Sequence, residues 1–94
     1  RAPTGMGAID HVSLACRGYH AHIARFRAAG LEWREFLVPG TTLWQLFVHD
    51  PSGVQLELTF DGASETGPPP DMSPTRRYVA GADFFDREAY PQLA

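Results

Sequence analysis

The sequence predicts a small α+β domain with the element order strand, helix, strand, strand, strand. Three segments between residues 9 and 60 show the alternation of apolar and polar residues that is typical of half-buried strands, and a fourth, residues 43–49, is rich in the aromatic and branched residues that favour strands. One segment, residues 19–29, has apolar residues at helical spacing. Residues that favour turns, chiefly Pro, Gly and Asp, separate most of these segments.

The first strand covers residues 9–15, and its alternation places Val12 and Leu14 on an apolar face. The helix covers residues 19–29, because its apolar residues recur at spacings of four and three along one face. Gly30 then ends the helix, since glycine readily adopts the left-handed conformation of a C-terminal cap. The opposite face of the first strand carries His11, Ser13 and Ala15.

Three further strands are expected at residues 31–38, 43–49 and 54–60. Pro39-Gly40 separates the first two of them, and Asp50-Pro51-Ser52-Gly53 separates the last two. A single helix can cover only one face of the resulting sheet. We expect that buried face to carry Val12, Leu14, Leu56, Leu58 and Phe60. The other face then carries His11, Ser13, Gln55, Glu57 and Thr59, with Gln45 and Phe47 if the third strand has the same parity.

The chain divides into three regions by composition. Residues 1–8 contain Pro and two Gly among small residues and are predicted to be a linker. Residues 9–60 form the strand and helix unit. Residues 61–94 are a tail rich in Pro and Gly, in which aromatic residues reappear near the end and are expected to pack on a surface.

Several classes of function are disfavoured by composition. The net charge of −3 over 94 residues argues against a nucleic-acid partner, which usually requires a basic patch. No apolar run approaches the roughly 18 residues that a membrane span needs, and we expect no signal peptide, because no basic stretch followed by an apolar one is found. The single cysteine, Cys16, has no internal disulfide partner, which is compatible with the reducing cytoplasm. We therefore expect a cytoplasmic protein.

A unit of about 50 residues buries only a modest fraction of its surface and is marginally stable alone. The chain is therefore expected to pair with a second unit, supplied by the same protein or by a second copy. The polar face of the sheet would then line a cleft, the kind of place where small-molecule sites form.

His11 and Glu57 are the residues best placed for metal chemistry. Each lies on the polar face of its strand, and the first and fourth strands can be neighbours in such a sheet. An imidazole and a carboxylate together are a common half-site for a divalent metal. A structural interpretation remains open, because a His at a strand start often lies in a turn and a Glu on a solvated face is ordinary.

The remaining candidates favour structural roles. His20 and His22 are two residues apart on the helix, so they point to different faces and are expected to be solvated. His49 is expected at the surface, or at the mouth of the cleft. Cys16 is expected to be a small buried residue. The two tryptophans, Trp33 and Trp44, are expected in a core or an interface.

Three stretches carry a family resemblance: IDHVSLACRG, FRAAGLEWREFLVPG and QLFVHDPSGVQLELTF. The most specific pattern is D-P-x-G-x-x-x-E-L, which begins at Asp50 and includes Glu57; the second is D-H-V at residues 10–12. Over residues 9–60 the chain resembles the second module of the vicinal oxygen chelate superfamily. That superfamily includes glyoxalase I, methylmalonyl-CoA epimerase, extradiol dioxygenases, and fosfomycin and bleomycin resistance proteins.

The resemblance implies a βαβββ module that pairs with another to form a curled mixed sheet around a cleft. Residues 1–8 resemble the stretch joining two such modules, which implies a preceding module or a homodimer. The resemblance to this superfamily also implies that His11 and Glu57 bind a divalent ion (Zn, Ni, Mn or Fe), and that Glu57 can act as a base.

The implied activity is that of a metal-dependent lyase, isomerase or dioxygenase acting on a small oxygenated molecule. The alternative is a metal-free protein that binds or sequesters a small molecule, as bleomycin resistance proteins do. Phe47 and Trp33 would then form an aromatic cleft wall. The candidate residues lining the cleft are Ser13, Gln45, Phe47 and Gln55.

Overall fold

The computed structural model describes residues 11–86 and Ala89, and of His11 only the backbone. The elements are β1 (His11–Ala15), α1 (Tyr19–Ala28), β2 (Arg34–Leu37), β3 (Leu43–His49) and β4 (Gln55–Asp61). A short 3-10 turn, Gly62–Ser64, follows β4. The predicted α+β class is confirmed, with one helix, a four-stranded mixed sheet and the expected order of elements. The predicted linker, residues 1–8, lies outside the described residues.

The strands lie in the order β1-β4-β3-β2. β1 is parallel to β4, whereas β3 is antiparallel to both β4 and β2. A tight turn between β3 and β4 sets their register. There, Asp50 Oδ1 accepts hydrogen bonds from the backbone N–H groups of Ser52 and Val54, both at 2.9 Å. Gly53 has a φ of 88°, which glycine adopts without strain. Because β1 pairs with β4, the first and last strands of the unit are neighbours.

The hydrophobic core lies between α1 and the central strands. Tyr19 is fully buried, and its ring lies edge-on to Trp44 and to Phe60, with centroids 5.1 Å apart in each pair. The other buried members of this cluster are Ile23, Trp33, Leu46 and Leu58. Both tryptophans are thus core residues. Trp33 does not line the polar face, which corrects its suggested place in an aromatic cleft wall.

The expectation that β1 would contribute to the core was wrong. Val12 and Leu14 are 37% and 46% exposed, although Leu58 and Phe60 in the adjacent strand are buried. The reason is the strand order. The core cluster draws on α1, β3 and β4, while β1 lies at the edge of the sheet. Within the described part of the chain, β1 therefore presents an apolar strip beside an open edge.

A buried carboxylate joins the helix, β2 and the C-terminal region. Glu35 is only 6% exposed. Its Oε1 accepts hydrogen bonds from the Tyr19 hydroxyl at 3.2 Å and from the backbone N–H of Asp71 at 2.8 Å. Its Oε2 accepts one from Trp33 Nε1 at 3.1 Å. Burial, and then the charge of Glu35, raise the pKa of Tyr19 above its usual value, so its hydroxyl stays a donor.

The C-terminal region continues along the free side of β2. Arg77 forms an isolated parallel bridge with Glu35. The Glu35 N–H donates to the Arg76 carbonyl, and the Tyr78 N–H donates to the Glu35 carbonyl, both at 2.9 Å. This short pairing holds residues 76–78 beside β2, at the edge of the sheet. The residues that follow Arg77 reach the face opposite α1.

Candidate functional site

The face of the sheet opposite α1, called the polar face below, contains the predicted site positions. The strand registers place these positions together across three strands. In β1 and β4, His11 lies beside Gln55, and Ser13 lies beside Glu57. In β3, Phe47 lies beside Glu57, and His49 lies beside Gln55. Glu57 is therefore flanked by Ser13 on one side and by Phe47 on the other.

His11 and Glu57 occupy diagonal positions on adjacent parallel strands. The strand spacing and the rise of two residues put their Cα atoms about 8 Å apart. By strand parity, the two positions belong to the same face. The side chain of His11 lies outside the described residues, so the predicted pairing of the imidazole with the carboxylate stays a prediction.

Glu57 is half-buried and has a defined neighbour. Gln45 Nε2 donates a hydrogen bond to Glu57 Oε2 at 3.1 Å. This contact follows from the register, since Gln45 lies beside Thr59, two residues after Glu57 on the same face. An amide donor orients a carboxylate without neutralising it. Such second-layer donors commonly orient carboxylates that bind metals.

The aromatic member of the predicted cleft is covered by the C-terminal region. The ring of Tyr78 stacks on the ring of Phe47, with centroids 3.7 Å apart and planes at 10°. Phe47 is consequently only 3% exposed. Gln55 Nε2 donates to the Tyr78 hydroxyl at 3.3 Å. Two of the predicted cleft residues thus contact a residue of the tail, whereas Ser13 is exposed.

His49 is buried at 9% exposure, which contradicts the expectation of a surface position. Its ring lies 4.5 Å from that of Phe84 and 5.2 Å from that of Phe85. Burial lowers the pKa of His49, and the carboxylates of Asp83 and Asp50 partly oppose this effect. The tail aromatics therefore explain why a histidine next to a turn is shielded from solvent.

The helix histidines are also not simply solvated, as the sequence had suggested. His20 Nε2 is 2.7 Å from the Pro68 carbonyl oxygen, and its ring contacts Tyr19 edge-on. His22 Nδ1 is 2.8 Å from the Gly18 carbonyl oxygen, and its ring packs on Phe60. Both are half-buried structural residues on the side of the sheet that α1 covers. The two-residue spacing excluded joint chelation but could not reveal these contacts.

A separate depression of about 540 Å³ lies at the N-terminus of α1. The Glu65 carboxylate occupies this helix end and accepts hydrogen bonds from the N–H groups of Gly18 and Tyr19, at 3.1 and 2.8 Å. Cys16 lies at its rim, and burial raises the pKa of the thiol. The favourable position for an anion at this helix end is thus filled by the chain itself.

The donor set for a metal is incomplete in the described residues. They contain no group of three or more His, Cys, Asp or Glu side chains arranged to hold a metal ion. Glu57, with its amide partner, suits one ligand position, and His11 would supply a second. A four-ligand metal site on this face would need donors in addition to these two.

Tyr78 is the residue near the site that was missed at the sequence level. The only signal was the return of aromatic residues in the tail, and nothing in their spacing indicated which surface they cover. The bridge between Arg77 and Glu35 decides this, because it carries Tyr78 to the polar face.

Comparisons with protein-family models, curated proteins and solved structures found no match to this chain. In the described residues, no helix combines the length and apolar character required to cross a membrane.

Proposed function

We propose that this chain is one βαβββ module of a metal-dependent enzyme of the glyoxalase and dioxygenase type. Its substrate would be a small oxygenated molecule, and the enzyme would be a lyase, an isomerase or a dioxygenase. The observation that carries the proposal is the parallel pairing of β1 with β4. This pairing brings the positions of His11 and Glu57 to one face, one diagonal step apart.

In this proposal, His11 and Glu57 hold a divalent ion such as Zn, Ni, Mn or Fe. When bound, the ion supplies Lewis acidity to two neighbouring oxygens of the ligand. Gln45 keeps the Glu57 carboxylate in position through its amide N–H. Glu57 also accepts a proton from the ligand in those reactions that need a base.

The remaining ligands come from a second module, supplied by another copy of this chain or by another part of a longer protein. The exposed side chains of Val12 and Leu14 support this part of the proposal, because burying them would stabilise an interface. Sedimentation of the 94-residue chain distinguishes the two sources, since only a dimer can complete the site from this chain alone.

The decisive experiment is metal analysis of purified protein after dialysis against limiting Zn²⁺, Ni²⁺, Mn²⁺ or Fe²⁺. We expect both His11→Ala and Glu57→Gln to lose most of the bound metal. The matched control is Glu32→Gln, which changes an exposed carboxylate paired with Arg34. Unchanged metal content in both site variants would refute the proposal.

A second candidate is a metal-free protein that binds a small molecule on the same face. The half-buried ring of Tyr78, which covers Phe47, favours it, because aromatic side chains are typical of the walls of ligand pockets. Ligand binding that persists in excess chelator, without turnover, would support this candidate over the enzyme.

A further inference from the structure

A second depression, of about 440 Å³, lies where the C-terminal region meets β2. Its lining combines two guanidinium groups and a hydroxyl with apolar side chains, chiefly Arg34, Arg77, Thr75, Val79 and Phe84. Depressions of this size, in which apolar walls surround a few convergent polar groups, are typical of small-molecule sites. None of these residues is a metal ligand or a cleft residue in the proposed function.

The guanidinium of Arg34 is held on one side and open on the other. Its Nη1 donates to Glu32 Oε1 and to the Trp33 carbonyl oxygen, both at 2.8 Å. Its central carbon lies 4.7 Å from the centroid of the Phe84 ring. Within the described residues, Nε and Nη2 have no acceptor, and no buried side-chain nitrogen lacks a partner, so both groups reach solvent. This edge of a guanidinium can bind a carboxylate through two parallel hydrogen bonds.

The C-terminal region brings further donors to the depression. The Arg77 N–H donates to the Ser73 carbonyl at 2.8 Å, and the bridge between Arg77 and Glu35 fixes this segment beside β2. The Arg77 side chain is exposed. Neither its guanidinium nor the Thr75 hydroxyl has a hydrogen-bond partner in the part of the chain that the structure describes. An anionic group in the depression can therefore accept hydrogen bonds from two segments that are distant in sequence.

The charges around the depression determine which anion it suits. Glu32 forms an ion pair with Arg34. Asp83 also lines the depression, and its Oδ1 accepts the Phe85 N–H at 2.9 Å. Two carboxylates thus lie near two guanidinium groups, and attraction by charge alone is weak at such an exposed place. A ligand gains more from directed hydrogen bonds together with apolar contact, for which Val79, 50% exposed, offers a surface.

We infer that this depression binds a small monocarboxylate that carries an apolar group of a few carbon atoms. The carboxylate accepts hydrogen bonds from Nε and Nη2 of Arg34, with Arg77 as a second donor. The apolar group packs on Val79 and Phe84. This inference goes beyond the proposed function, because it involves neither a metal ion nor the residues around Glu57.

The test is a titration of the ¹⁵N-labelled 94-residue chain with hexanoate, at constant ionic strength and with a chelator present. The Nε–H resonances of the arginines report binding in ¹H–¹⁵N spectra. Three further ligands separate the contributions. Hexanamide has the same carbon chain without the charge, acetate has the carboxylate without the chain, and inorganic phosphate is an anion without an apolar group.

We expect hexanoate to shift the Arg34 Nε–H resonance saturably and to bind about tenfold more tightly than each of the other three ligands. Arg34→Lys retains the charge but loses the two parallel donors, and should weaken hexanoate binding about tenfold. Arg77→Gln should weaken it about threefold. The matched control is Arg25→Gln, which removes the same charge from an exposed position on α1 and should bind as the wild type does.

Urea denaturation checks that each variant is folded. If Arg34→Lys does not fold, Arg77→Gln and the ligand series decide the question, because Arg77 is exposed. The inference is overturned by the absence of a saturable shift, by equal affinities for hexanoate and acetate or hexanamide, or by tighter binding of phosphate. Equal hexanoate affinities in Arg77→Gln and Arg25→Gln would exclude Arg77 from the site and likewise overturn it.

Discussion

Replacing Glu35 by Gln tests whether its buried carboxylate joins the helix, the sheet and the tail. The carboxylate accepts three hydrogen bonds, two at Oε1 and one at Oε2. A glutamine has only one acceptor oxygen. If that oxygen serves Tyr19 and Asp71, its NH₂ group meets the N–H of Trp33, and two donors then face each other. The substitution therefore removes at least one hydrogen bond to a charged acceptor in a site that is 6% exposed.

Loss of one such bond corresponds to about 2 kcal/mol of unfolding free energy. Urea denaturation followed by circular dichroism measures the change as a lower midpoint with an unaltered slope. The matched control is Glu32→Gln. Glu32 forms an ion pair with Arg34, and the Glu32 side chain is exposed to solvent. That control should change the stability by no more than about 0.5 kcal/mol.

A double-mutant cycle isolates the predicted conflict. Trp33→Phe keeps an aromatic ring and removes the N–H group that the glutamine NH₂ would face. In that background, Glu35→Gln should destabilise the protein by about 1 kcal/mol less than in the wild type. Equal effects of Glu35→Gln and Glu32→Gln, or no coupling with Trp33→Phe, would show that Glu35 does not have the role described.

Two further predictions concern other buried positions. Burial lowers the folded-state pKa of His49, so protonation favours the unfolded chain, and stability should fall as the pH decreases below about 6.5. His49→Gln should make the unfolding free energy less dependent on pH between 7 and 5, and an unchanged dependence would contradict this explanation. At Gly62, a Cβ atom would overlap the Trp44 indole and lie 2.7 Å from the Thr42 carbonyl oxygen. Gly62→Ala should therefore lower stability by about 1–3 kcal/mol in urea denaturation, and wild-type stability would refute the clash.

Much of the fold was predictable because hydrophobic periodicity reports local structure directly. β3 was predicted with its observed bounds, and the start of α1 at Tyr19 was correct. The extent of β2 was overestimated, since only Arg34–Leu37 pairs with β3. Alternation also placed Gln45, Phe47 and Glu57 on one face, as the register shows. Their mutual contacts follow from the parity of the strands.

Burial was less predictable than secondary structure, because it depends on which elements cover each position. Val12 and Leu14 have the same apolar alternation as Leu58 and Phe60, yet only the latter pair is buried. His49 resembles a surface residue in sequence but is covered by Phe84 and Phe85. For Val12 and Leu14 the missing information was the place of β1 at the edge of the sheet, and for His49 it was the position of a distant segment.

By itself, the sequence determined the order of the elements and the polar character of one sheet face, because both depend on residue spacing within short segments. The tertiary structure decided how the tail uses that face. A bridge between residues 42 positions apart, Glu35 and Arg77, brings Tyr78 onto Phe47 and toward Gln55. Such a pairing depends on backbone hydrogen bonds, which any residue except proline can form at both positions. It therefore leaves little trace in the sequence, although it determines what surrounds Glu57.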